Sequence, residues 1–190
     1  MPHQNIVTGE SEDEVWKIIA DQLNNKKDDL DYTAQFDTQN YCVTLDIDIH
    51  PDRGEDNDKP VTSFSVDLPD ETEFRFKIQK QGLKHEIGKL FGMQDVVIGH
   101  REFDKKFLIQ SNDADKVKEL LSDTEVSEEL LKHPIVDFKI RERKIGANKE
   151  IVLGLELEGG ITEPNTLKSV FQPYKAVLNY LDKFIIKSST

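Results

Sequence analysis

A single cysteine, Cys42, in a chain of 190 residues excludes an internal disulfide, so no oxidised framework holds the fold. Basic residues are in deficit: 25 Lys and Arg stand against 37 Asp and Glu, a net charge of -12 with histidine neutral. A nucleic-acid grip needs a basic patch to displace counterions from phosphates, and adhesion to an anionic membrane surface needs the same sign of charge. The balance argues against both partners. No apolar run approaches the roughly 18 to 20 residues that span a bilayer. Met1 to Glu10 carries neither the basic stretch nor the apolar stretch of a secretory signal. The expectation is a soluble, cytoplasmic, bacterial protein. No internal repeat, low-complexity tract or long linker marks a boundary, so 1–190 is expected to be a single α+β domain with its weakest seam near 81–92.

Apolar residues are sufficient for a core although mean hydropathy is -0.58. Leu, Ile, Val and Phe exceed a quarter of the chain, whereas disordered chains fall below roughly 20% on this count. Ser11 to Asn24 reads as a helix. Ser11 and Glu14 have capping-box spacing, and Val15, Ile18, Ile19 and Leu23 form one stripe beside Trp16. From Tyr32 to Gln79 the period changes to two. Tyr41, Val43, Leu45, Ile47 and Ile49 alternate with polar residues, as do Phe64, Val66 and Leu68, and then Phe74, Phe76 and Ile78. This is the pattern of strands with one buried and one wet face. Pro69 to Thr72 predicts a hairpin turn between the last two, making the Tyr41, Phe64 and Phe74 strands neighbours in an antiparallel meander.

Downstream, Leu83, Ile87, Leu90 and Phe91 suggest a helix weakened by two glycines. Short strands at Asp95–Ile98 and Lys106–Gln110 flank a turn at Gly99-His100. Helices follow at Asp113–Ser122 and Thr124–His133, then a second hairpin over Ile135–Lys144 and Glu150–Glu158. A long helix near Pro164–Lys187 ends the chain, with Leu167, Val170, Phe171, Tyr174, Val177, Leu178, Leu181 and Ile185 as its apolar face. Pro173 is expected to bend or interrupt it, because the ring clashes with the preceding turn. The fold class is therefore α+β: an antiparallel meander sheet with an N-terminal helix, short middle helices and a long C-terminal helix packed on the sheet.

The candidate chemistry is thin. The stretch Asp46 to Asp58 contains Asp46, Asp48, His50, Asp52, Glu55, Asp56 and Asp58, and its carboxylates are the oxygen ligands a calcium site wants, but no glutamate stands at the twelfth place of a calcium loop, so a solvated loop is expected. Cys42 has no histidine placed beside it; His3, His50, His85, His100 and His133 lie in loops or near element ends. His85-Glu86 opens like a zinc-protease motif, yet position 89 is Lys89. Gly159-Gly160 lacks the phosphate-loop pattern. Glu156 and Glu158 share a strand face and could pair for acid–base work. Asp46, Asp48, Asp67, Glu73, Arg75 and Lys77 read as a cross-strand charge ladder.

The segment Ile87 to Leu121 carries Gly99, Phe103, Asp104, Phe107, Ser111, Asn112 and Asp113 in the order Gly–turn–Phe-Asp–two residues–Phe, then a Ser-Asn-Asp helix start. Over about a fifth of the chain it resembles a group of uncharacterised bacterial proteins. The resemblance implies no assigned activity. Physically the motif is structural: Gly99 permits a turn, Phe103 and Phe107 anchor the following strand, Asp104 bonds turn amides, and Asn112-Asp113 caps a helix.

No catalytic, cofactor-binding or metal-ligating set is assigned. The first reading is a non-catalytic binding or protein-interaction module, monomer or dimer, whose acidic surface suits a basic protein partner. The alternatives are a hydrolase-type enzyme whose carboxylates converge from distant segments, and a binder of small apolar ligands between the sheet and the C-terminal helix.

Overall fold

Period-two alternation places one side chain of each pair in the core, as in 32–37, 42–48 and 61–68, and nine extended segments form among the described residues. In the computed structural model, which describes residues 5–25, 31–38, 40–49, 59–82, 92–146 and 148–185, they join in one sheet. The strands are β1 (Ile6–Val7), β2 (Tyr32–Asp37), β3 (Cys42–Asp48), β4 (Val61–Leu68), β5 (Phe76–Lys80), β6 (Gln94–Val96), β7 (Phe107–Ser111), β8 (Ile135–Ile145) and β9 (Asn148–Glu158). Their order across the sheet is β1-β2-β3-β4-β9-β8-β5-β7-β6. The helices are α1 (Glu12–Asn25), α2 (Arg101–Lys106), α3 (Ala114–Ser122), α4 (Thr124–Lys132) and α5 (Pro164–Ile185).

The α+β class stands, but the sheet is mixed. β1 and β2 run parallel because α1 lies between them in sequence, and a helical crossover returns the chain in the same direction. The expected hairpin across Pro69–Thr72 is absent. The turn itself forms, with the Thr72 amide donating to the Pro69 carbonyl at 3.0 Å. The chain then stays out of a strand until Phe76, and the β8–β9 hairpin inserts between β4 and β5. Two eleven-residue strands, with Ile151, Leu153, Leu155 and Leu157 all buried, supply more pairing and more apolar burial than the five residues of β5 could. The neighbours of the Phe64 strand are therefore β3 and β9.

One face of the sheet is covered by helices. Trp16 of α1 packs on Phe36 and Phe171, and Phe171 reaches Phe64, all with ring centroids under 6 Å apart. Tyr174 stacks on Phe138 and donates a 3.0 Å hydrogen bond to the Leu153 carbonyl of the central strand. Burial raises its phenol well above the ordinary range, and the Asp67 carboxylate acts in the same direction. Phe171, Tyr174, Val177, Leu178 and Leu181 are all buried against the chain's own sheet and helices. Of the bend or interruption expected at Pro173, the interruption does not occur: α5 runs through the proline, which has no amide to donate to the Ser169 carbonyl.

The helix starts follow the expected chemistry. The Glu14 amide donates to the Ser11 hydroxyl, and its carboxylate reaches back to the Glu10 amide. Asp113 accepts from the Lys116 amide at the head of α3. Between β6 and β7 the expected bare turn holds the short helix α2, capped by His100. Asp104 clamps the approach by accepting from the amides of Ile98 and Gly99 at 3.0 and 2.9 Å, where Gly99 adopts a φ of +84°. Asn112 does not cap α3; its amide group bridges the Arg75 amide and the Glu73 carbonyl. The stretch 83–91, which holds His85 and the suggested helix, and 50–58, which holds most of the acidic loop, lie outside the described residues.

Candidate binding face

Side chains opposite the helices form a mainly polar face on which no described helix packs, with Val152 and Gln79 buried within it. Register sets its rows. Thr33, Asp46, Ser63, Glu156, Asp137 and Gln79 lie side by side across β2, β3, β4, β9, β8 and β5. The next row is Gln35, Thr44, Ser65, Gly154, Lys139 and Lys77. A Cβ on Gly154 would meet no atom within 4 Å, so the centre of this row is a gap between Ser65 and Lys139.

Charge is divided across these rows. On the side of β2 and β3, Asp37 and Asp46 have no cation paired with them among the described residues, and neither has Glu156 on β9. Asp46 accepts only from the Thr33 hydroxyl, at 2.6 Å. The cations lie on β5 and β8. Lys139 is paired with Asp137, and Arg143 joins Asp67 at 2.8 Å and Glu150 at 2.7 Å. The expected ladder from Asp46 through Lys77 is thus not formed, because β9 and β8 separate β4 from β5.

The carboxylate pair suggested for acid–base work is divided. Glu158 lies 3.3 Å from Lys59 and 3.4 Å from Lys80, which hold it below the usual carboxylate range, while Glu156 faces solvent beside Asp137. General-acid chemistry needs one carboxyl raised, and neither neighbour of Glu158 does that. Cys42 is exposed on the same face. Partial burial and the adjacent Asp37 carboxylate both push its thiol up, the opposite of an activated nucleophile.

A nucleophile and a base do meet elsewhere, and sequence reading missed them. Ser169 Oγ of α5 lies 3.2 Å from Nε2 of the buried His133, just past α4, and donates to Glu129 Oε2 at 3.3 Å. Serine has one proton. With it on Glu129, the histidine must donate to the serine rather than accept from it, and the carboxylate approaches the same ring nitrogen, at 3.8 Å. A hydrolytic triad needs the reverse arrangement. The contact ties α4 to α5, and Lys106 extends it by donating to the Leu131 and His133 carbonyls at 2.6 and 3.0 Å.

Between sheet and α5, Phe64, Phe138, Phe171 and Tyr174 are fully buried and pack on one another. Among the described residues no three His, Cys, Asp or Glu side chains are grouped to hold a metal ion, and no helix is long and apolar enough to cross a membrane. Comparison with protein-family models, curated proteins and solved structures returns no match for this chain.

Proposed function

We propose that the chain is a non-catalytic binding module that presents the open face of its sheet to a basic protein partner. One observation carries the reading: Asp37, Asp46 and Glu156 stand on a surface of short hydroxyl side chains with no cation paired to them among the described residues. Small neighbours such as Ser63, Ser65 and Thr44 keep this surface low, so a second chain could approach the carboxylates closely. A net charge of -12 steers basic partners toward it and repels acidic ones. A bacterial cytoplasm as its location belongs to the same proposal, resting on the lone cysteine and on the resemblance of the 87–121 segment.

The test is fluorescence anisotropy with a labelled ten-residue oligolysine peptide at two salt concentrations. Changing Asp37 and Asp46 together to Asn should weaken binding at least fivefold. Changing Asp21 and Glu71, exposed carboxylates elsewhere on the molecule, to Asn and Gln removes the same charge and should weaken it less than twofold. Equal losses would show a response to total charge alone and defeat the assignment to the face.

A further inference from the structure

We infer that the β8–β9 hairpin ends in an arm that docks an acidic segment of a partner protein, beyond the face proposed above and independent of it. Register defines the arm. The pairing of β4 with β9 ends at Leu68 and Ile151, and that of β5 with β8 at Lys77 and Lys139. Past these points, residues 142–145 pair only with 148–151 among the described residues. The tip, turned by Gly146 at a φ of +60°, therefore stands about three residues, roughly 10 Å, beyond the sheet. Arg141, Glu142, Lys144, Ile145 and Lys149 are all exposed on it.

Charge reverses sign on this arm. Arg141, Arg143, Lys144 and Lys149 stand against Glu142 and Glu150, a net of +2 in a chain of net -12. Asp67 and Glu150 take up Arg143, and Glu142 takes up Lys149 at 3.0 Å. Arg141 and Lys144 form no ion pair among the described residues. Lys144 lies directly opposite Lys149, and like charges so placed disfavour the pairing until an anion joins them. Charges on a free strand edge keep sheets from joining, but either sign does that, so protection alone leaves the excess of cations unexplained. Ile145, 51% exposed at the apex, adds an apolar contact beside them.

An acidic peptide segment fits this arm better than a nucleic acid does. The body of the chain repels anions, but at physiological salt that field is screened over roughly 8 Å, about the reach of the arm. A short segment meets the arm alone. A nucleic acid carries a charge about every 1.7 Å and would run on past four cations into the acidic body.

The experiment is fluorescence anisotropy of the full chain with a labelled heptapeptide, six glutamates around a central leucine, at physiological salt. Saturable binding is expected. Changing Arg141 and Lys144 together to Glu should weaken it at least tenfold, and Ile145→Ser at least twofold. Changing Lys17 and Lys105, exposed lysines elsewhere on the molecule, to Glu alters the charge equally and should weaken it less than threefold. Circular dichroism checks that these exposed substitutions leave the fold intact. No saturable binding, or equal losses in the two double variants, would overturn the arm as the site. Tighter binding of a single-stranded DNA that depends on Arg141 and Lys144 would assign the arm to nucleic acid instead. A dimer in sedimentation that the arm variant loses would assign it to a second copy, and either result overturns the acidic segment. The oligolysine test reads Asp37 and Asp46, so each proposal can fail while the other stands.

Discussion

Nε2 of His133 lies 3.2 Å from Oγ of Ser169, joining two helices through residues 36 positions apart in the chain. The imidazole is buried, and burial holds it below its ordinary value of 6.5, with Lys106 and Lys132 acting in the same direction and Glu129 against them. The unfolded chain takes up this proton near 6.5, whereas the fold keeps the ring neutral to lower pH. Stability contributed by the neutral ring is therefore lost as pH falls through and below 6.5. Glu129, held low by Lys132, acts with the same sign only below its ordinary 4.5. Urea unfolding between pH 7.5 and 5.0 should show declining stability in the wild type and a shallower decline in His133→Gln. Identical slopes would remove His133 from the account.

Leu178 is 2% exposed on the face of α5 that covers the core. Leu178→Ala should cost about 2–5 kcal/mol, the range for a buried leucine whose surroundings cannot close over the gap. Because the helix packs within its own chain, the loss should not vary over a hundredfold range of protein concentration. A loss that shrinks at high concentration would mean that a dimer contact had been cut instead.

Gly160 follows the end of β9, and a Cβ placed on it would stand 2.5 Å from Cγ1 of Ile49. That carbon is bonded directly to Cβ, so clearing it needs a rotation about the stiff χ1 of a β-branched side chain. Gly160→Ala should destabilise by about 1–3 kcal/mol, as overpacked substitutions do. Adding Ile49→Ala should recover part of the loss. Thermal unfolding of the two variants checks this, and a neutral Gly160→Ala would show that the loop yields freely.

Asp104 holds two amides of the 98–99 approach with one carboxylate. Asp104→Ala should cost about 1 kcal/mol, since a half-buried and an exposed amide lose a charged acceptor. Hydrogen exchange at Ile98 and Gly99 should quicken more than exchange at Leu153 in the central strand. Uniform quickening would indicate global loosening rather than a local clamp.

Much of the fold was legible because its cause is local. Val43, Leu45 and Ile47 alternate with polar residues over a few positions, and that alone decides a strand and its buried face. Asp113 could be recognised as the head of α3 because an N-cap acts on an amide three residues away. Pro173 does not end the helix, since its clash is local but the burial of Phe171, Tyr174 and Val177 holds α5 together across it. The Pro69–Thr72 turn misled for a related reason: a turn is decided by four residues, while the partner of the strand that follows is decided by the rest of the sheet.

By itself the sequence determined which segments are strands or helices, which face of each is apolar, and the excess of negative charge, because each follows from the chemistry of neighbouring residues. Only the tertiary structure decided that β8 and β9 separate β4 from β5. It alone brought Gln79, Asp137 and Glu156 into one row and set His133 against Ser169. Those meetings depend on which long-range pairing buries the most apolar surface with every ladder bond satisfied, a competition among distant segments that no local pattern records.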